Sequence, residues 1–358
     1  MNFTRSNLIV IFLALTVSSI SGCRQRTENA ICESLPSNKN GTKFYLYTKK
    51  SSVELTVDED SISAAPFADS NKLIFYLHGF GESADAAGAL LIRNAYLNGT
   101  DDVNVVLVDY SNMTGVFSPS LYGFALSFPR SRYCYLPRTA DTLVEMILLI
   151  QKVNTQINYT RLIGFSLGAQ IAGKAGTRYK EITGWLLDRI TALDAGGTCL
   201  QQSPEISKHS ASFVDVVHSN TGWFGYIKPA GHVDFYMNNG IIQPVCLTNA
   251  SDVADIFGFP SESMDATLCS HLSSVLYFVA SIYNDEIYAQ CCKQIRRLTE
   301  NTENHYLLDD DNNNAISLTC NSSNGTKQIV FGEHAPLDAS GTYYATIPNI
   351  LELISAIN

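Results

Sequence analysis

The sequence has no block of basic residues, no C-x-x-C pair and no cluster of Cys and His at zinc-ligand spacing. The missing basic block argues against a nucleic-acid-binding surface, since the net charge is −10 over 358 residues. The missing Cys/His spacing removes the usual zinc sites. Beyond the N-terminus there is no proline-rich linker, no internal repeat and no abrupt shift in composition, so nothing divides the chain into separate domains. Charged residues are sparse, at 16 %, against 46 % apolar. That balance favours a large buried core over general disorder. The acidity reads as solubility.

What is present first is an export signal. MNFTRSN carries one cation, Arg5, and no acid; LIVIFLALTV (8–17) is apolar; SSISG follows with small residues. This is the order of a secretory peptide, too short to span a bilayer comfortably. Residues 1–22 are therefore expected to be removed, leaving 23–358 as one domain. A short membrane anchor and a lipoprotein-type anchor through Cys23 (ISGC) are weaker readings. N-x-S/T acceptors at Asn40, Asn98, Asn112, Asn158, Asn249, Asn321 and Asn324 suit an exported glycoprotein. Nine cysteines suit the same oxidising, extracellular compartment.

Apolar runs then alternate with helical patterns. KLIFYLHGF (72–80), VNVVLVDY (103–110), YTRLIGFS (159–166), RITALDAGG (189–197) and SFVDVVHSN (212–220) read as buried strands. DTLVEMILLIQKV (141–153) and AQIAGKAGTRY (169–179) read as helices. Strands buried on both faces and separated by helices predict an α/β fold with a mostly parallel sheet. The stretch from 299 to 327 is polar, and its triple Asp309–Asp311 lacks the spacing of a calcium loop, so it reads as solvated surface.

The chemistry centres on GFSLGAQ (164–170). A strand, then G-x-S-x-G, then a helix is the context of a nucleophile elbow, which marks Ser166. A serine nucleophile needs a base, and the base needs a carboxylate. Asp194 ends the strand ITALD at the sheet edge of Ser166; Asp215 and Asp234 are rivals inside or beside strands. Downstream histidines are His209, His218, His232, His271, His305 and His334, of which His271 gains from its place just before an apolar helix, two residues after Cys269. Two backbone N–H groups should hold an oxyanion: that of Leu167, after the serine, and that of Phe80 in LHGF (77–80).

In combination, LHGFGES, IGFSLGAQIAG, ALDAGG, GHVDFYMNNGIIQPVC and CSHL resemble the pancreatic lipase family of secreted lipases and phospholipases. The matching segments run from about residue 72 to FGEHAPLDASGTYYATI (331–347). The resemblance implies an α/β-hydrolase fold with Ser166 as nucleophile, Asp194 as acid, His271 as base, and Phe80 and Leu167 as oxyanion donors. It implies that a Cys246–Cys269 disulfide closes a lid. Two departures stand out. Ala195 replaces the proline that usually follows the acid. The stretch after His271 is too short for the C-terminal β-sandwich of pancreatic members, so a single catalytic domain without a colipase-type partner is expected.

The expected reaction is acyl transfer through an acyl-serine, which requires no metal or organic cofactor. Two segments suggest a lipid ester at a membrane or oil–water interface. The loop NTGWFGYIKPAGH (220–232) clusters Trp223, Phe224, Tyr226 and Ile227, and the lid segment places Val253, Ile256, Phe257 and Phe259 at helical spacing. In the family it resembles, phospholipases A1 tend to shorten both the lid and the loop before GHVDFY; here that loop is short and the lid full length, and a triacylglycerol lipase is placed slightly ahead. An inactive lipid-binding relative would have lost one of the three catalytic residues.

Overall fold

The structure is a computed structural model that describes Cys32 and residues 41–114, 130–197, 204–238, 240–291, 296–298, 315–317, 328–347 and 349–355. The export segment, Cys23, the triple Asp309–Asp311, His305 and the acceptors Asn40, Asn321 and Asn324 lie outside the described residues.

Along the chain the strands are β1 (Lys43–Tyr47), β2 (Ser52–Leu55), β3 (Lys72–Leu77), β4 (Asn104–Asp109), β5 (Tyr159–Phe165), β6 (Leu187–Leu193), β7 (Ala211–His218), β8 (Val233–Met237), β9 (Tyr288–Cys291), β10 (Arg296–Leu298), β11 (Ala315–Ser317), β12 (Gln328–Val330) and β13 (Gly341–Ala345). The helices are α1 (Glu59–Ala64), α2 (Ala87–Asn98), α3 (Ser111–Thr114), α4 (Leu136–Val153), α5 (Leu167–Thr183), α6 (Pro244–Thr248), α7 (Ala250–Phe257), α8 (Ala266–Tyr283) and α9 (Ile350–Ser355). One sheet runs in the order β12-β9-β13-β8-β7-β6-β5-β3-β4-β1-β2, and β10 pairs with β11 separately. From β13 to β4 every neighbouring pair is parallel; β1, β2, β9 and β12 join antiparallel at the two edges.

The sequence of β3, KLIFYL, explains the layering. Ile74 and Tyr76 enter one hydrophobic cluster with α2 and α8, while Leu73, Phe75 and Leu77 enter the other with α4 and α5. A strand with both faces apolar is stable only under helices on both sides. This is the α/β-hydrolase arrangement expected from the sequence. Helix α4 starts earlier than its periodicity predicts, running on directly from a π-helical turn over Ser131–Tyr135, with Pro137 just after the junction.

Helix α8 starts before the histidine expected to precede it. The Asp265 carboxylate accepts the N–H groups of Thr267 (2.9 Å) and Leu268 (2.8 Å), which sets the helix start and puts His271 in the second turn. The helix is apolar and long enough to cross a membrane, but most of it is buried in the core. Asp265→Ala is expected to cost roughly 1 kcal/mol, read as a lower denaturation midpoint at unchanged slope. Disulfides link Cys246 to Cys269, as the resemblance implies, and Cys32 to Cys134, a pair with no signal in the sequence.

Candidate active site

Strand β5 ends at Phe165 and α5 begins at Leu167, leaving Ser166 alone on the turn. Its backbone is at φ 53° and ψ −114°, a conformation that L-residues rarely adopt. Such strain costs about 1–3 kcal/mol and persists only when the surroundings enforce it. They do. The Ser166 N–H donates to Leu193 O (2.9 Å), and Gly196 N–H donates to Ser166 O (3.0 Å). The flanking glycines allow the turn: a Cβ at Gly164 would lie 2.4 Å from the Gly168 carbonyl, and one at Gly168 only 2.2 Å from Leu77 O. The N-terminus of α5 thereby rests on the end of β3, its positive dipole end at the serine.

Asp194 follows β6, also at positive φ (41°), and is fully buried. Its Oδ1 accepts the N–H groups of Ser219 (2.8 Å) and Asn220 (3.0 Å). Its Oδ2 accepts Nδ1–H of His271 at 2.6 Å. The carboxylate therefore holds the imidazole proton at Nδ1 and leaves Nε2 with its lone pair. The His271 ring is packed between Phe165 and Phe224, with centroids 4.6 Å and 5.2 Å away. Ser166 is bonded through its backbone to Leu193 and Gly196, on either side of Asp194, but makes no hydrogen bond to His271 among the described residues. Such contacts commonly tighten only with substrate bound.

The rival carboxylates have other partners. Asp215 holds Arg189 in a two-pronged ion pair (2.8 and 3.0 Å), and Asp234 holds His218 at 2.8 Å. His232 accepts the Val214 N–H, and His209 and His334 are exposed. Phe80 and Leu167 lie on the two segments, after β3 and at the start of α5, that converge on the serine turn; Leu167 is buried and Phe80 partly so. The Ala195 carbonyl accepts the Tyr226 N–H at 2.8 Å, which ties the acid turn to the aromatic loop.

The aromatic loop expected to face lipid also packs on the site. Phe224 stacks on His271, while Trp223 and Tyr226 are partly exposed. Tyr226 is fixed by its carbonyl, which faces His218 Nδ1 at 3.1 Å. Gly225 presses on the acid so closely that a Cβ there would lie 2.5 Å from Asp194 Oδ1. Gly225→Ala is therefore expected to push the carboxylate off His271 and lower kcat about 100-fold. Turnover of a soluble ester checks this, with the melting temperature as control; wild-type kcat would contradict it.

The apolar face expected on the 246–269 segment is turned inward. Val253 and Phe257 of α7 are buried in the core cluster beside α2 and α8, and Ile256 and Phe259 pack against it from its edge. Leu247, in α6, is instead exposed. Sequence reasoning also missed Gln243, whose buried amide donates to Ser219 O (2.7 Å) and Met237 O (3.1 Å) and accepts from Tyr277. Through it the segment entering α6 is tied to the end of β7 that carries the acid's N–H donors.

A sequence profile of the family described as Lipase matches residues 16–303. Pancreatic triacylglycerol lipase of Homo sapiens is 30% identical over 270 residues, 69% of this chain and 53% of its own length. Pancreatic lipase-related protein 2 of Mus musculus is 30% identical over 263 residues, 68% and 51% of the two chains. Inactive pancreatic lipase-related protein 1 of Canis lupus familiaris is 30% identical over 277 residues, 73% and 56%. The chain spans about half the length of the curated relatives it matches.

Proposed function

Starting from the fact that this chain belongs to the lipase family, we propose that it is a serine carboxylic-ester hydrolase acting on lipids, with Ser166, His271 and Asp194 as its catalytic triad. The observation that carries the reading is the 2.6 Å bond from His271 Nδ1 to buried Asp194, whose flanking residues Leu193 and Gly196 bond the backbone of a serine on a strained elbow. His271 Nε2 takes the hydroxyl proton as Ser166 Oγ attacks the ester carbonyl. The N–H groups of Phe80 and Leu167 hold the resulting oxyanion, a contribution of about 3 kcal/mol per donor. His271 then gives its proton to the leaving alcohol, and water hydrolyses the acyl-serine by the same route.

Triacylglycerol is the proposed substrate and the sn-1 ester of a phospholipid the alternative. Trp223, Phe224 and exposed Leu247 supply apolar surface around the site; Ile256, Phe257 and Phe259 would reach lipid only if α7 left its seat against α2 and α8. Two disulfides and the N-terminal signal pattern support secretion, and the reading needs no cofactor or colipase-type partner. The test is covalent labelling of Ser166 by a fluorophosphonate, followed by fatty-acid release from triacylglycerol emulsions and from phosphatidylcholine vesicles. Labelling with release from either supports a lipase. An unlabelled serine would place the chain with the inactive relatives.

A further inference from the structure

The loop that would supply one oxyanion donor contains a carboxylate that the mechanism above does not use. Gly79, Phe80, Gly81 and Glu82 form a four-residue turn with Gly81 at φ 76°, where glycine is the residue that fits without strain. Two peptide units in it are held from both ends. In the 78–79 unit, the carbonyl of His78 accepts the Tyr110 hydroxyl, and the Gly79 N–H donates to Glu82 Oε2 at 2.6 Å. In the 79–80 unit, the carbonyl of Gly79 accepts His78 Nδ1–H (2.8 Å) and the Glu82 N–H (3.4 Å). The Tyr110 N–H donates to His78 Nε2 at 3.3 Å, which keeps the single ring proton at Nδ1.

A trans peptide is planar, with its C=O and N–H pointing opposite ways. Anchoring the Gly79 carbonyl therefore aims the N–H of Phe80. Resting on the triad reading above, we propose that Glu82 is a positioning residue for the oxyanion hole: its carboxylate clamps the turn and so fixes the direction of the Phe80 N–H. Glu82 acts on both peptide units, by its side chain on one and by its N–H on the other. The carboxyl lies near His78 and His271, and the Tyr76 and Tyr110 hydroxyls feel its charge. Burial raises its pKa above the ordinary value, against the opposing pull of His78, the Gly79 N–H and His271.

The experiment compares Glu82→Ala, Glu82→Gln and Glu82→Asp on a soluble short-chain ester, with fluorophosphonate labelling rates and melting temperatures measured in parallel. A misdirected donor loses transition-state stabilisation rather than ground-state binding. Glu82→Ala should lower kcat and the labelling rate by about 10- to 100-fold, less than the loss of a whole oxyanion donor, with little change in KM. Glu82→Gln keeps an acceptor oxygen in the same place and should recover to within about fivefold of wild type. Glu82→Asp is one methylene short and should stay low.

Wild-type kcat in Glu82→Ala would overturn the proposal. So would Asp outperforming Gln, the order expected if charge near His271 mattered rather than the clamp. Should the alanine variant fail to fold, the Gln-to-Asp order still decides. A wild-type protein that is not labelled at Ser166 sinks the triad reading instead, so the two failures are distinguishable.

Discussion

Ser166→Ala is expected to remove fluorophosphonate labelling and to lower kcat on a soluble ester by about 10⁴- to 10⁶-fold. Removing His271 as well should cost little more, because nucleophile and base act as one unit. The substitution deletes the hydroxyl proposed to form the acyl bond and leaves the elbow's backbone bonds to Leu193 and Gly196 in place. Stability should therefore hold or rise slightly. Residual turnover within tenfold of wild type would require a different nucleophile.

The second large effect lies under helix α8. Arg161 of β5 is 1% exposed, donating to Glu333 Oε2 (2.5 Å), the Tyr96 hydroxyl (3.2 Å) and Thr191 Oγ (2.7 Å). Arg189 binds Asp215 and donates to the carbonyls of Gly332 (2.7 Å) and Glu333 (2.8 Å). Two arginines and two carboxylates thus tie the 332–334 turn to the centre of the sheet. Glu333→Ala would leave the Arg161 charge buried without its counter-ion, a loss of about 3–5 kcal/mol. That is a large share of the 5–15 kcal/mol typical of a folded domain. Chemical denaturation measures it directly, and a change below about 1 kcal/mol would contradict the assignment.

The same pair sets an acid limb. Burial alone would raise the Glu333 pKa, but Arg161 and then Arg189 outweigh it and hold it below its usual 4.5. A lowered carboxyl pKa contributes stability above its unfolded value that is lost as pH falls through the folded value. Melting temperature should drop on acidification below about pH 4.5, and Glu333→Gln should flatten that drop while starting from a lower plateau.

Ser166 and the strands around it were legible because their signals are local. The elbow needs two glycines at fixed offsets, and a strand covered on both faces must be apolar throughout, as KLIFYL is. Position at a strand end favours Asp194 over Asp215 and Asp234. The structure adds the reason: the rivals are committed to Arg189 and His218, pairings that join residues 26 and 16 apart in sequence. The expected lipid face of α7 read correctly as apolar, yet periodicity cannot say which neighbour an apolar stripe meets. Here it meets α2 and α8.

The amino-acid sequence by itself determined the layered α/β architecture and the serine turn, since hydrophobic period and glycine sterics act over a few neighbours. Only the tertiary structure decided which carboxylate meets which base, that Gly225 rests on Asp194, that Phe224 covers His271 and that Glu82 clamps its own turn. These contacts depend on the distances and directions between groups brought together by folding, and no pattern along the chain encodes an angle between distant side chains.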